Sequence, residues 1–234
     1  MKKLVNTVGL KQFIQTYGQK YSEVLGIRLG EGSDSEIFKW FLASLLFGAP
    51  IAESSAIKTF RSFEKHRVLT ATKIVGAGWE RLVEILDEGG YTRYDYKTAD
   101  KLLEVANNLI KVYGESLSRV ENLASDARDL EKRLKDLGKG VGDVTVSIFL
   151  RELRGIWKKA DPYPTSLELL AAERLGILKK GLDGEEALKR LKDFWAKNRI
   201  TGMTFVNFET ALLRLGKDCR KKKCNLRLGN VRST

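Results

Sequence analysis

Apolar residues recur along most of this 234-residue chain with the spacing of amphipathic helices. Residues 99–113 place them at the i, i+3, i+4 and i+7 positions that line one face of a helix. The same spacing recurs in residues 167–175, 185–195 and 205–215. Alternating, strand-like patterns are scarce and the chain has only three prolines. We therefore predict an all-α fold.

One predicted helix differs from the others because its body, residues 37–47, is apolar nearly all round. A helix of this kind is normally central and buried. Ser33 or Asp34 is placed to cap its first turn, and Gly48-Ala49-Pro50 is expected to end it. A proline-rich point at residues 160–164 must be extended and is a natural crossing between two lobes.

The net charge of +12 is concentrated in two segments. Residues 127–160 carry nine basic and five acidic side chains, and residues 214–234 carry eight basic side chains against Asp218 alone. The remainder of the chain is close to neutral. This clustering predicts a face that binds a polyanion, although a basic tail that only aids solubility explains the last segment equally well.

The strongest local signal is a glycine-rich turn between two predicted helices. One helix ends near Leu137, the turn Gly138-Lys139-Gly140-Val141-Gly142 follows, and a second helix begins at Asp143. Closely spaced glycines let the backbone approach a ligand, and the free N–H groups of a helix start favour a phosphate. Val141 is expected to tuck into the core. Additional phosphate attraction, independent of base sequence, is expected from Lys139, Arg151 and Arg154.

Two other interpretations of the turn compete with phosphate binding. An ordinary hairpin of two helices with glycine C-caps shares the same glycine spacing, so the spacing alone leaves it open. A dinucleotide-binding turn is disfavoured because a helix precedes the glycines where a strand is required.

Residues 137–150, read as L-G-K-G-V-G-D-V-T-V-S-I-F-L, resemble the hairpin of the helix-hairpin-helix DNA glycosylase superfamily, the endonuclease III-like proteins. That hairpin typically reads L-P-G-V-G-x-x-T-A. Residues 38–51 are similar to the family's early buried helix and the loop after it. Residues 91–99 resemble its G-x-Y-x-x-K-A segment, and residues 208–224 are similar to its closing helix and the start of its iron–sulfur loop. The order of these motifs covers roughly residues 36–225.

The resemblance implies a two-lobed all-α fold with a cleft between the lobes. Residues 34–158 would form the central lobe, and residues 1–33 with 159–234 the second. It also implies a monomer of prokaryotic origin that excises a damaged or mispaired base from double-stranded DNA, in the cytoplasm and associated with the nucleoid when bound. No membrane association is expected. The residues expected to contact DNA are Lys139, Gly140, Val141, Gly142, Thr145, Arg151, Lys221 and Lys222.

The family's catalytic aspartate lies beyond the hairpin, at the start of a helix in the other lobe, and Asp161 is the candidate here. A carboxylate there stabilises the oxocarbenium character that develops on the deoxyribose as the N-glycosidic bond breaks. An ungapped match from Arg174-Leu175-Gly176 would land on Thr165 instead. The plain structural alternative makes Asp161 a turn residue before Pro162.

Family members that also cut the strand carry a lysine two residues after the last hairpin glycine, and Val144 occupies that position. The resemblance therefore implies a monofunctional glycosylase without lyase activity. A lyase that uses a displaced Lys139 or Lys158 remains an alternative. So does a DNA-binding protein of the same fold without catalysis, and a helical protein–protein adaptor is a remoter one.

A [4Fe–4S] cluster needs four thiolates, whereas the chain has only Cys219 and Cys224. We therefore expect no cluster, no metal and no cofactor, with residues 217–227 acting as a basic segment that contacts DNA. The two cysteines could be free, paired as a disulfide or bound to a metal. Free thiols are the expectation in a reducing cytosol.

A flipped base is held by stacking on aromatic or apolar side chains. The aromatic candidates are Tyr91, Tyr94, Tyr96 and Trp157, although aromatic residues at such positions belong to the core more often. By analogy with the family, residues 47–51 would fill the gap that the flipped base leaves. None of these residues identifies the base.

Overall fold

The computed structural model describes residues 6–221 and 226–228. Within them the chain forms twelve α-helices and two short strands, so the all-α prediction is confirmed. These residues divide into two compact units: Leu25–Pro162, and the chain before and after it, up to Val24 and from Tyr163 on. No helix in the described part of the chain is long and apolar enough to cross a membrane.

The elements follow one another along the chain with short connections. In order they are β1 (Asn6–Val8), α1 (Leu10–Tyr17), α2 (Tyr21–Val24), a 3-10 turn (Leu29–Glu31), α3 (Asp34–Phe47), α4 (Glu53–Lys65), α5 (Ala71–Gly89), α6 (Asp95–Tyr113), α7 (Leu117–Leu123), α8 (Ala127–Lys135), α9 (Asp143–Glu152), α10 (Ser166–Arg174), α11 (Gly184–Lys197), α12 (Phe205–Arg220) and β2 (Leu226–Leu228). The two strands pair in parallel. The four segments with helical spacing are α6, α10, α11 and α12, which confirms the prediction for each.

Helix α3 is the centre of the unit Leu25–Pro162. Ser33 caps it by accepting a hydrogen bond from the Glu36 backbone N–H, and Trp40 and Phe41 have no exposed surface. The Trp40 indole N–H donates to the carbonyl of Phe149 on α9 at 3.0 Å, and the Phe41 and Phe149 rings meet edge to face at 4.9 Å. The predicted buried helix is therefore confirmed, and it fixes the position of α9.

The other unit has its own core, which α1, α10, α11 and α12 enclose. Phe208 on α12 stacks against Phe194 at 5.5 Å and against Trp195 at 5.8 Å. Helices α10 and α12 approach closely at Gly216, where an added Cβ would overlap the backbone carbonyl of Leu167. The close approach at Gly216 therefore holds α10 on α12, and the aromatic stack holds α11 on α12.

Glu115, in the turn after α6, connects that turn to the first turn of α5. Its carboxylate accepts hydrogen bonds from the Thr72 backbone N–H at 2.8 Å and from the Thr72 hydroxyl at 2.7 Å. Burial raises the pKa of the Glu115 carboxyl, but the hydrogen bonds outweigh burial and leave that pKa below its ordinary value. The carboxylate thus serves as a cap for α5 supplied from elsewhere in the chain.

Replacing Glu115 with glutamine is expected to lower the free energy of unfolding by about 1 kcal/mol at neutral pH. Because the folded-state pKa lies below the unfolded value of about 4.3, this contribution is present above that pH and is lost as the pH falls through the folded-state pKa. Urea unfolding of both proteins between about pH 7 and about pH 3 measures the difference. It should shrink at the acid end, and a difference that stays constant would argue against the cap. Exposed Glu80 on α5 provides the control substitution, Glu80→Gln.

Candidate nucleic-acid interface

The glycine turn lies between α8 and α9, as predicted, and it packs on α6. Gly138 is buried, and an added Cβ would lie 2.8 Å from Cγ2 of Val105 on α6. Gly140 has a φ of +89°, a backbone conformation that side-chain-bearing residues rarely adopt. Val141 is buried, with 5% of its surface exposed, as predicted. The two glycines are therefore required for the close packing and the sharp turn that this hairpin makes.

The start of α9 is open. Gly142 is its N-cap residue, and no side chain in residues 6–221 or 226–228 caps this helix end. Gly142, Asp143 and Val144 are all exposed. The first-turn N–H groups of a helix have no partner within the helix and carry its positive dipole end. The hairpin therefore presents backbone donors in the arrangement that binds a phosphate.

Charged side chains of both signs surround the hairpin. Lys139 is exposed, while its backbone N–H donates to the carboxylate of Glu104 on α6 at 3.0 Å. Asp143 is exposed and forms an ion pair with Lys135. The two carboxylates repel an incoming phosphate and oppose the attraction of the lysines and the helix dipole.

Lys101, which the sequence analysis did not single out, lies beneath the hairpin. Its ammonium donates to the carbonyl of Leu45, near the end of α3, at 3.1 Å. Its Cδ would be 3.4 Å from a Cβ added to Gly140. Burial lowers the pKa of the Lys101 amine to about 8. Lys101 thus joins the end of α3 to the hairpin, a role that its place in an amphipathic helix did not reveal.

Two of the predicted DNA contacts are made by buried side chains. All residues of α9 from Thr145 onward are buried. The Thr145 hydroxyl packs so closely on Gly48 that a Cβ added to this glycine would overlap it. Only 1% of the Arg151 surface is exposed. The structure therefore corrects both expectations: the Thr145 and Arg151 side chains pack inside the unit because α9 is an interior helix, and only the backbone N–H of Thr145 belongs to the open helix start.

Asp161 is accessible and held in a defined position. Its side chain is 41% exposed, and it forms an ion pair with Arg154, whose side chain is only 8% exposed. Arg154 also donates to the Pro162 carbonyl, and Arg128 on α8 donates to the Asp161 carbonyl. Two arginines from different elements thus fix the backbone and the carboxylate here. Arg154, expected from the sequence to attract phosphate, binds this carboxylate instead.

Thr165, the alternative position for the catalytic residue, starts α10. Its hydroxyl accepts a hydrogen bond from the Glu168 backbone N–H, and its own backbone N–H donates to the Glu168 carboxylate at 2.6 Å. This reciprocal pair is a capping box. Thr165 is therefore accounted for as a helix cap, and Asp161 is the carboxylate that the structure offers in this segment.

The four aromatic candidates lie in different environments. Tyr91 is 1% exposed, and its hydroxyl donates to the Leu46 carbonyl at 2.8 Å. Trp157 is 7% exposed, and its ring meets Phe149 edge to face at 5.5 Å. These two are core residues in this structure, the more frequent case for aromatic residues at such positions.

The other two aromatic candidates are more accessible. Tyr94 is partly buried, and the Arg93 guanidinium lies over its ring at 5.7 Å. Tyr96 is 59% exposed and packs against Trp79 at 5.1 Å between ring centres. The Trp79 indole N–H donates to the Asp100 carboxylate at 2.9 Å. Of the four, Tyr96 alone has more than half of its surface exposed.

The basic end of the chain is described only in part. Lys221 follows α12 and is exposed, whereas Lys222 lies outside the described residues. Earlier on α12, the Arg214 guanidinium lies 4.2 Å from the centre of the Tyr21 ring, and the Lys217 ammonium donates to the Tyr21 hydroxyl at 3.1 Å. The cations near the end of α12 are thus partly engaged within their own unit.

Cys219, on the last turn of α12, is disulfide-bonded, so the expectation of a free thiol is wrong for this residue. Cys224 lies outside the described residues. In the part of the chain that the structure describes, no three histidine, cysteine or acidic side chains come together as metal ligands.

The fold is similar to that of a solved glycosylase structure. H. pylori 3-methyladenine DNA glycosylase, bound to 1,N6-ethenoadenine, superposes with a TM-score of 0.54 over 92% of this chain and 99% of that chain, at 14% sequence identity. No family model and no curated protein matches the sequence. The structural similarity confirms the fold predicted from the hairpin and the order of the motifs, that of the helix-hairpin-helix DNA glycosylases.

Proposed function

We propose that this protein is a DNA glycosylase that hydrolyses the N-glycosidic bond of a damaged or mispaired base in duplex DNA. The observation that carries the proposal is the hairpin, whose uncapped α9 start is suited to a phosphate, in a chain with a DNA glycosylase fold. Because backbone N–H groups contact phosphate without regard to base, this docking positions the protein on any duplex. The same N–H groups and Lys139 supply attraction that weakens with salt.

Asp161 is proposed as the catalytic carboxylate. As the bond between C1′ and the base nitrogen breaks, positive charge develops on the sugar, and a nearby carboxylate stabilises that charge. A water oxygen then bonds to C1′, and the water proton leaves for the departing base. Arg154 holds the carboxylate in one orientation, so the group is positioned before the substrate arrives.

We further propose that the enzyme is monofunctional. A lyase needs an amine that attacks C1′, and Val144, which is 56% exposed, stands at the position where lyases of this fold carry their lysine. Lys139 and Lys158 are exposed and are the amines of the alternative, bifunctional mechanism.

A panel of duplexes, each with one lesion, tests the activity and separates the mechanisms. The panel should include 3-methyladenine and 1,N6-ethenoadenine, since the structurally similar glycosylase is named for one and bound to the other. We expect strand cleavage of at least one duplex, only after alkali. Cleavage without alkali together with covalent trapping by borohydride would indicate a lyase, and Lys139→Gln and Lys158→Gln would then identify its amine.

A second candidate function, DNA binding without catalysis, is favoured by one observation. The ion pair with Arg154 partly neutralises the Asp161 carboxylate and so weakens its effect on a developing positive charge. This alternative predicts salt-sensitive duplex binding with no base release from any member of the panel.

Replacing Glu104 with glutamine is expected to tighten duplex binding about three-fold at low salt. The amide oxygen can still accept the hydrogen bond from the Lys139 backbone N–H, while the negative charge beside the hairpin is removed. Fluorescence anisotropy with a labelled duplex measures the change. The control is Glu185→Gln, an exposed position on α11 with the same change in net charge. Equal affinities of the two variants would contradict docking at this hairpin.

A further inference from the structure

A pocket of about 460 Å³ lies within the unit that contains α10 and β2. We call it the α10 pocket. Its basic lining residues are Arg174, Lys180 and Arg227, and its apolar lining residues are Leu170, Leu178 and Leu226. Arg227 belongs to the basic segment expected from the sequence to contact DNA, but the pocket itself has no part in that expectation or in the proposed docking of DNA on the hairpin.

The fold brings the pocket walls together from three segments. Leu170 and Arg174 are four residues apart on α10 and so share one face of that helix. Gly176, with a φ of +76°, ends α10 and turns the chain back, and the Leu178 backbone N–H donates to the Ala172 carbonyl at 3.3 Å. Lys180 follows this turn, and β2, paired with β1, supplies the remaining wall.

The elements that form the pocket walls are fixed by packing and capping. The capping box at Thr165 fixes the start of α10, and the close approach of Gly216 to Leu167 fixes α10 on α12. Leu226 packs against the core of the unit, and Leu178 belongs to that core. The pocket is therefore formed by packed elements before any ligand binds.

The three cations that line the pocket have no hydrogen-bond or ion-pair partner among the described residues. Among residues 6–221 and 226–228, the side chains of Arg174, Lys180 and Arg227 form no hydrogen bond and no ion pair. Glu173 is the single carboxylate among the described lining residues, so these residues carry a net charge of +2 from three cations and one anion. Like charges around one cavity repel one another, and a bound anion would relieve that repulsion.

The apolar part of the pocket narrows the class of anion. Leu170 is 39% exposed, one of the few large apolar side chains in the described residues with so much open surface. An inorganic anion would leave this apolar surface exposed to water, whereas the sugar and base of a nucleotide would cover it. A volume of about 460 Å³ is in the ordinary range for a small-molecule site.

We propose that the α10 pocket binds a nucleotide, with its phosphate between Arg174, Lys180 and Arg227 and its sugar and base against Leu170. The nucleotide is either free or one unit of a DNA strand. The strand form rests on the proposed function, because it would be a second DNA contact in addition to the hairpin, and the free form does not.

Calorimetric titration of the full chain with deoxyadenosine monophosphate at low salt tests the site. We expect binding that Arg174→Gln and Arg227→Gln each weaken at least about five-fold, with no binding of deoxyadenosine. Leu170→Asn should weaken binding of the nucleotide and leave binding of inorganic phosphate unchanged. Lys179→Gln is the matched control, because Lys179 is an exposed neighbour outside the lining. The four substituted residues are all exposed. Thermal melting of each variant verifies that it is folded.

A second arm distinguishes the two sources of the nucleotide. An undamaged duplex with hydroxyl ends, titrated by anisotropy, should lose affinity in Arg174→Gln if the pocket holds a strand, and deoxyadenosine monophosphate should compete with it. Nucleotide binding that depends on Arg174, with duplex affinity unchanged, assigns the free nucleotide. If neither ligand depends on Arg174 or Arg227, the proposal is wrong. Base release by the wild-type protein is independent of this result, so the proposed function can fail or hold separately.

Discussion

Replacing Asp161 with asparagine is expected to lower the rate of base release at least about 100-fold, with duplex affinity changed by less than about two-fold. Asparagine keeps the shape of aspartate, and its Oδ1 can still accept from Arg154, so the segment should stay in place. What is lost is the negative charge that stabilises the sugar as the bond breaks. Single-turnover kinetics on the lesion duplex measure the rate, and anisotropy measures the affinity.

The control for this variant is Asp193→Asn, an exposed aspartate on α11, which changes the net charge by the same amount. It should leave both the rate and the affinity unchanged. If Asp161→Asn releases the base at the wild-type rate, the catalytic assignment of Asp161 is wrong even if the protein is a glycosylase. A carboxylate elsewhere would then have to be sought.

Replacing Val144 with aspartate is expected to weaken duplex binding about ten-fold while leaving the protein at least as stable. Val144 is 56% exposed in the first turn of α9, so its replacement disturbs little packing. A carboxylate there is favourable for the helix, because it faces the positive dipole end. It is unfavourable for a phosphate bound at the same N–H groups. Stability and affinity should therefore change in different directions, a result that general damage to the fold does not give.

Val144→Asn provides the neutral comparison for this prediction. Asparagine has the same shape as aspartate, so a loss of affinity confined to Val144→Asp reports the charge. Titrations at several salt concentrations should show the loss shrinking as salt is raised. Full affinity of Val144→Asp at low salt would mean that DNA does not dock at the start of α9.

Much of the fold could be predicted because the local pattern and the tertiary environment agree. In α3 the apolar residues run round the whole helix, and burial on all sides is the consequence. In the hairpin, the glycine spacing reports a backbone requirement that Gly138 and Gly140 meet, one through close packing and the other through its positive φ. The two short strands carry too few residues for any alternating pattern, so their pairing had no local signal.

The candidate site could be predicted less completely, since its contacts join residues far apart in the chain. The hydrogen bond from the Lys139 N–H to Glu104 and that from Lys101 to Leu45 link segments whose spacing carries no local signal. Arg151 resembled a surface cation because its charge suggested exposure, yet it lies on an interior helix. Arg154 was expected at a phosphate, and the structure places it on Asp161. Burial and pairing of charged groups depend on the assembled unit.

The hairpin and Asp161 support different parts of the account. The hairpin supports docking on the DNA backbone, and removing its open N–H groups would affect binding to damaged and undamaged duplexes alike. Asp161 supports bond cleavage, and its variant should still bind. The two substitutions, Val144→Asp and Asp161→Asn, should therefore separate binding from catalysis.

Detection of the free base shows whether this protein releases a base from DNA. Each duplex of the lesion panel is incubated with an excess of protein, and the small-molecule fraction is analysed by mass spectrometry. We expect the modified base from at least one duplex with the wild-type protein, and none above background with Asp161→Asn. Binding of the duplexes with no free base from any of them would contradict the account and leave a DNA-binding protein without catalysis.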